Sequence, residues 1–133
     1  NVAPMGALML GLIAGVGCFY ASTKLKRMFG YDDSLDVFGV HAVGGIIGAI
    51  GVAFFCSPSL GIFGGLGFGE GITSIGQQLS VQLMGVGATI AYTLVATTII
   101  LLVVKIVMGL RVSEDQETEG LDISLHDEKG YNL

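Results

Sequence analysis

The fold is decided by VFGVHAVGGIIGAIGVAFF, residues 37–55, a stretch in which the imidazole of His41 is the one ionisable side chain. A helix needs about 20 mostly apolar residues to cross the hydrocarbon core of a bilayer. Two more stretches without charge, residues 1–23 and 71–104, lie on either side of it. The pattern predicts an all-α fold, a polytopic transmembrane helix bundle. The three predicted spans are residues 2–22, 36–55 and 79–108.

The composition of the chain also indicates a membrane protein. Of its 133 residues, 52% are hydrophobic and 13% are charged, whereas about a quarter of the residues in a soluble domain are charged. Seven of the eleven acidic residues lie between Glu114 and Glu128. We therefore divide the chain into a transmembrane portion, residues 1–112, and an acidic cytoplasmic tail, residues 113–133. The six Lys and Arg residues form no basic stripe, which argues against a nucleic-acid partner.

The distribution of basic residues predicts the orientation in the membrane. The segment between the first two spans contains Lys24, Lys26 and Arg27, whereas residues 56–78 contain no Lys or Arg. Because cytoplasmic loops are enriched in Lys and Arg, we expect the first loop and the C-terminal tail to lie in the cytoplasm. The chain has no initiator Met and enters its first span almost at once, so we expect it to be truncated at its N-terminus.

Small residues in the first two spans predict close helix packing. The spans contain Gly11-x-x-x-Gly15 and Gly44-x-x-x-Gly48, and glycines at this spacing let two helix backbones approach closely in lipid. We therefore expect both spans to pack tightly in the membrane.

His41 is the candidate functional residue of the second span. On an α-helix it shares a face with Val37, Gly44, Gly45 and Gly48, so it would border a narrow strip of glycine. One interpretation is structural, because a neutral imidazole can make one hydrogen bond between helices. The other is a substrate pathway through His41, Val37, Gly44 and Gly45, because ionisable groups inside membranes commonly line functional routes and neutral histidine both donates and accepts hydrogen bonds.

Acidic side chains precede this span. Asp36 stands at its predicted cytoplasmic entry, where a carboxylate suits the positive end of the helix dipole, and capping of the helix is the simpler interpretation. We expect Asp32 and Asp33 to belong to the same solvated turn. In the tail, Glu114 to Glu119 are expected to form a short helix that ends at Gly120.

Two segments resemble one known family. Asp36-Val-Phe-Gly-Val-His41-Ala-Val-Gly-Gly45 resembles the signature of the ammonium transporter family (Amt/Mep, related to Rh proteins). The C-terminal region resembles the cytoplasmic tail of that family, and the matching residues are Gly109-Leu-Arg-Val112, Glu117, Glu119-Gly-Leu-Asp122, His126 and Tyr131. The two matches have the order and separation of the family, so the resemblance covers nearly the whole chain.

The resemblance implies the last three of eleven spans in a homotrimer, with one hydrophobic pore in each subunit. It implies that His41 is the second of two neighbouring pore histidines, that ammonium or ammonia is the substrate, and that the protein is a transporter in the cell membrane rather than an enzyme. We expect no cofactor, and no metal site from the consecutive residues His126, Asp127 and Glu128, since three consecutive residues seldom converge on one ion. For the tail it implies contacts with cytoplasmic loops and, in many prokaryotic members, a PII-type regulatory protein. The tail residues that match are Arg111, Gly120, Asp122 and Tyr131.

Three alternatives stay open from the sequence. The first is an ammonium sensor that signals through the tail, and the second is a channel for ammonia or CO2 gas of the Rh type. The third is a structural membrane subunit in which His41 has no role in transport.

Overall fold

Three long helices make up most of the structure. The computed structural model describes residues 1–128 and residue 130, and it contains no strand among them. The helices Pro4–Phe29, Phe38–Phe55 and Ile75–Val107 are long and apolar enough to cross a membrane. We call them the first, second and third membrane helices. The predicted all-α transmembrane fold is confirmed.

The first membrane helix is longer than the predicted span 2–22. It consists of α1 (Pro4–Tyr20), a π-helical turn (Ala21–Leu25) and α2 (Lys26–Phe29). Gly30 ends it in the left-handed conformation, with φ of 61°, as is common at helix C-termini. The basic residues Lys24, Lys26 and Arg27, which we assigned to a loop, lie on the last turns of this helix. A helix can include such residues there, because a long basic side chain lays its aliphatic stem along an apolar surface while its charged group stays in water.

The second membrane helix also begins with a π-helical turn, Phe38–Ala42, which continues as α3, Val43–Phe55. A π-helical turn contains one residue more than an α-turn, and such turns are frequent at functional sites. Hydropathy predicts this span well at residues 36–55, but it contains no information on the extra residue. His41 lies inside this turn.

The first two membrane helices pack in antiparallel fashion, and glycines of both helices lie in the contact. A Cβ atom on Gly17 would strike Ile47, and one on Gly51 would strike Leu10. A Cβ added to Gly11 or Gly15 meets nothing within 4 Å. Gly11-x-x-x-Gly15 therefore lies outside the contact between these two helices.

A glycine-rich loop covers one end of this helix pair. After a 3₁₀ segment, Pro58–Phe63, the amide of Gly65 donates to the carbonyl of Ser57 (3.0 Å) and the amide of Leu66 donates to the carbonyl of Asn1 (2.8 Å). A Cβ on Gly65 would lie 2.6 Å from the Cα of Cys56, so only glycine fits there. The loop thus ties the start of the first membrane helix to the end of the second.

The remaining helices are α4, α5 and α6, with bounds Ile75–Val107, Glu114–Glu119 and Leu121–His126. The third membrane helix, α4, begins before the predicted residue 79. The internal contacts of the chain divide it into two compact units, Asn1–Ile90 and Ala91–Leu133. The predicted division at residue 112 stays a prediction.

In the second unit, Ser113 caps α5 with a reciprocal capping box. Its hydroxyl accepts from the amide of Gln116 (3.3 Å), and the amide of Ser113 donates to Gln116 Oε1 (3.1 Å). α5 ends at Gly120, which has φ of 100°. The predicted short helix from Glu114 to Glu119 is confirmed.

Candidate functional site: the groove beside His41

His41 lines an apolar groove at the start of the second membrane helix. The groove has a volume of about 660 Å³, and the His41 side chain is exposed to it. Most of its wall is aliphatic or aromatic, and two aspartates also line it. The lining residues are Leu25, Phe29, Tyr31, Asp32, Asp33, Val37, Phe38, His41 and Ala42.

Two of the four predicted pathway residues come together in this groove. Val37 and His41 both line it, one turn apart. Gly44 faces the first membrane helix instead, where an added Cβ would lie 3.0 Å from Cys18 Sγ. Gly45 borders open space, with nothing within 4 Å of an added Cβ. Packing against Cys18 therefore accounts for Gly44.

The cysteine beside Gly44 also contacts the turn that contains His41. Cys18 Sγ lies 3.6 Å from the carbonyl oxygen of Val40, to which its thiol donates. Backbone carbonyls near a π-helical turn depart from the regular α-helical ladder, so a side-chain donor from the neighbouring helix stabilises this departure. Both cysteines of the chain, Cys18 and Cys56, are free thiols.

The helix cap is provided by Asp33, not by Asp36. The Asp33 carboxylate accepts hydrogen bonds from the amides of Val37 and Phe38, each at 2.8 Å. These are amides of the first turn, which lack partners within the helix. The interpretation of Asp36 as the cap is therefore wrong, because the chain turns back at residues 34–36 and brings the earlier carboxylate over the helix end.

Asp36 forms an ion pair with the first membrane helix. Its Oδ1 lies 2.7 Å from Lys26 Nζ, with the side chains of Lys26 and Asp36 29% and 41% exposed. Lys26 Nζ also donates to the carbonyl of Asp33. Asp36 has φ of 53°, the left-handed region that residues with a Cβ rarely adopt.

An aromatic pair forms another part of the wall. The rings of Tyr31 and Phe38 meet edge to face, with centroids 5.5 Å apart and planes at 74°. The hydroxyl of Tyr31 is buried and has no hydrogen-bond partner among the described residues. Sequence reasoning missed both aromatics, as well as Lys26. The spacing of Lys26 before a cluster of three Asp residues was the one available signal.

The predicted tail residues lie at defined places in the second unit. Gly120 separates α5 from α6, and Asp122 stands in the first turn of α6. The carbonyl of Asp122 accepts from the amide of Glu128 at 2.9 Å. Arg111 precedes α5 and makes at least one polar or electrostatic contact. Tyr131 lies outside the described residues.

The groove suits a small molecule that can both donate and accept a hydrogen bond. A neutral imidazole can both donate and accept a hydrogen bond. The walls of the groove are apolar, so few other polar groups compete with His41. Inside a membrane helix, such an ionisable side chain is expensive and is commonly part of a substrate or proton path.

The fold and this groove define a class, the polytopic membrane proteins that have an ionisable residue within a spanning helix. The sequence profile of the Ammonium Transporter Family matches residues 1–131. The chain belongs to the ammonium transporter family.

Relatives from distant organisms agree with this assignment. The chain is 47% identical over 129 residues to an ammonium transporter of Aquifex aeolicus, with 97% of this chain and 29% of the relative covered. It is 44% identical over 130 residues to a putative ammonium transporter of Methanothermobacter thermautotrophicus, with 96% and 31% covered. An ammonium transporter of Bacillus subtilis is 35% identical over 130 residues, with 98% and 31% covered. The chain thus spans about 30% of the length of these relatives.

Proposed function

We propose that the chain contributes the wall of a transmembrane pathway for ammonium or ammonia, with His41 as the pathway residue. The observation that carries the proposal is the position of His41, which lines an apolar groove on a π-helical turn of a membrane helix. Membership of the ammonium transporter family supplies the substrate. The protein would carry the substrate without breaking a covalent bond, and so would not be an enzyme.

His41 acts in this proposal as a hydrogen-bond partner for the passing molecule. A neutral imidazole nitrogen accepts from an N–H of the substrate, and the ring N–H donates to a lone pair of the substrate or of a second pathway group. Val37 would line the same path. Gly45 would keep it open, because it adds no side chain to the adjoining surface.

The test uses a transporter of full family length in which residues 1–133 occupy the aligned segment, here called the assay transporter. His41→Ala should lower the rate of radiolabelled methylammonium uptake by at least about tenfold, since one hydrogen bond that involves a charged group contributes about 1.5–3 kcal/mol and about 1.4 kcal/mol corresponds to a factor of ten. Val40→Ala is the matched control, because Val40 lies on the same π-helical turn but not in the groove lining. Undiminished uptake by a well-folded His41→Ala protein would exclude this role and favour a structural one.

The orientation also belongs to this proposal. We infer that the protein lies in the cell membrane and that its groove faces the cytoplasm, because Lys24, Lys26 and Arg27 cluster at one end of the first membrane helix. The tail would also lie in the cytoplasm. Asp36 would then stand at the cytoplasmic entry of the pathway.

A homotrimeric state and a PII-type partner at the tail follow from the family resemblance alone. The mass of the purified assay transporter and co-purification with a PII-type protein would check them. The tail residues concerned would be Arg111, Gly120, Asp122 and Tyr131. Transport is favoured over a sensor or a gas channel because the relatives described above are named as ammonium transporters.

A further inference from the structure

A cluster of charged residues holds together the ends of the first and second membrane helices. It consists of Lys26, Asp33 and Asp36, and we call it the charged clamp. Lys26 comes from the first membrane helix, and the two aspartates come from the turn before the second. Lys26 Nζ donates both to Asp36 Oδ1, at 2.7 Å, and to the backbone carbonyl of Asp33.

The clamp reaches His41 through the backbone. The carbonyl of Asp36 accepts from the amide of Val40 at 2.9 Å, and Val40 is the residue directly before His41. The Asp33 carboxylate holds the amides of Val37 and Phe38. Three amides before His41, those of Val37, Phe38 and Val40, therefore bind to Asp33 or Asp36, the two residues that Lys26 contacts.

The backbone at Asp36 depends on this support. Its φ of 53° is uncommon for a residue with a Cβ, and such conformations persist only where the surrounding contacts determine them. Release of the Asp36 carboxylate would let the residue return to an ordinary conformation. The carbonyl that receives the Val40 amide would then move with it.

The two π-helical turns face each other beside the clamp. An added Cβ on Gly39 would lie 2.9 Å from the amide nitrogen of Ser22 and 3.0 Å from its Cα. This contact joins the backbone of the first π-helical turn to that of the second. A change in either helix end therefore shifts the turn that contains His41, because no side chain separates the two backbones.

We propose that Lys26 is a positioning residue for His41. Its ammonium group fixes the turn 33–36, and through that turn it fixes the π-helical turn and the direction of the imidazole into the groove. The effect on transport rests on the proposed function, whereas the effect on the imidazole does not.

The experiment compares three variants of the assay transporter. Lys26→Met removes the ammonium group and keeps the aliphatic stem, and Lys26→Arg keeps a cation. Lys24→Met is the matched control, because it removes the same charge from the same helix end while the Lys24 ammonium lies over the ring of Tyr20 rather than in the clamp. Lys26→Met and Lys24→Met each remove one positive charge, so we expect them to affect membrane orientation equally. Lys26→Arg keeps the charge and should not affect orientation.

The first readout is solid-state NMR of ¹⁵N-labelled histidine, with the His41 signal assigned by its loss in His41→Gln. We expect Lys26→Met to shift or broaden this signal, Lys26→Arg to restore most of the native signal, and Lys24→Met to leave it unchanged. An unchanged signal in folded Lys26→Met protein would overturn the proposal. If Lys26→Met does not fold, Asp36→Asn tests the same contact from the other partner. A shifted or broadened His41 signal in Asp36→Asn would support the proposal, and an unchanged signal would overturn it.

The second readout is methylammonium uptake. Lys26→Met should reduce the maximal rate severalfold with a smaller change in KM, because the imidazole is displaced while the groove remains. A double variant, Lys26→Met with Asp36→Asn, should be no slower than the slower single variant. If the NMR signal moves while uptake is normal in both Lys26→Met and His41→Ala, the positioning role stands and the proposed function fails.

Discussion

Removal of the Asp33 carboxylate tests the helix cap directly. In Asp33→Ala, the amides of Val37 and Phe38 lose their acceptor, to which each donates at 2.8 Å. Loss of an N-cap costs about 0.5–2 kcal/mol. Since two amides share this carboxylate, we expect a value near the upper end, about 2 kcal/mol, for local opening of the first turn of the second membrane helix. That free energy corresponds to an exchange rate roughly 30-fold faster, at about 1.4 kcal/mol per factor of ten.

The assay is hydrogen exchange with mass spectrometry on the assay transporter in lipid nanodiscs, followed on peptides that cover residues 34–42. Asp33→Asn should show a smaller increase in exchange, because the amide side chain still offers one carbonyl acceptor. Ser34→Ala is the control, since Ser34 is exposed in the same turn. Native exchange rates in Asp33→Ala would refute the assignment of the cap to Asp33 and would favour Asp36 as the cap.

Two more predictions concern the packing and the orientation. Gly39→Ala should lower the yield of folded assay transporter, measured by size-exclusion chromatography, because the new Cβ would lie 2.9 Å from the backbone nitrogen of Ser22. Gly87→Ala is the control, because nothing lies within 4 Å of a Cβ added there. Equal yields of the two variants would contradict the close contact at Gly39. A single cysteine placed at Ser113 in a background without Cys18 and Cys56 should react with a membrane-impermeant maleimide only after the cells are opened, and labelling of intact cells would reverse the orientation.

The positions of the membrane helices could be predicted because they depend on one property, the absence of charge over a long stretch. The second helix was predicted from residue 36 to 55 and is observed as Phe38–Phe55. The first helix was predicted too short because Lys24, Lys26 and Arg27 were assigned to a loop. A helix continues through such residues when their long side chains reach water from its last turns.

The candidate site could be predicted only in part. His41 stood out because it is one ionisable residue in an apolar stretch. The π-helical turns, the cap by Asp33 and the aromatic wall with Tyr31 could not be found in this way, because each depends on contacts between residues of two segments or on one extra residue in a turn. The periodicity rule placed Gly44 beside His41, whereas the structure turns Gly44 toward Cys18.

The glycine-rich loop at one end and the charged clamp at the other have a mechanical consequence. The first two membrane helices are fastened at both ends, by the Leu66 amide on the Asn1 carbonyl and by Lys26 on Asp36. Two helices that are joined at both ends resist sliding and rotation relative to each other. The pair therefore moves as one rigid unit, and because every lining residue of the groove comes from these two helices or the turn between them, the width of the groove is set within this unit.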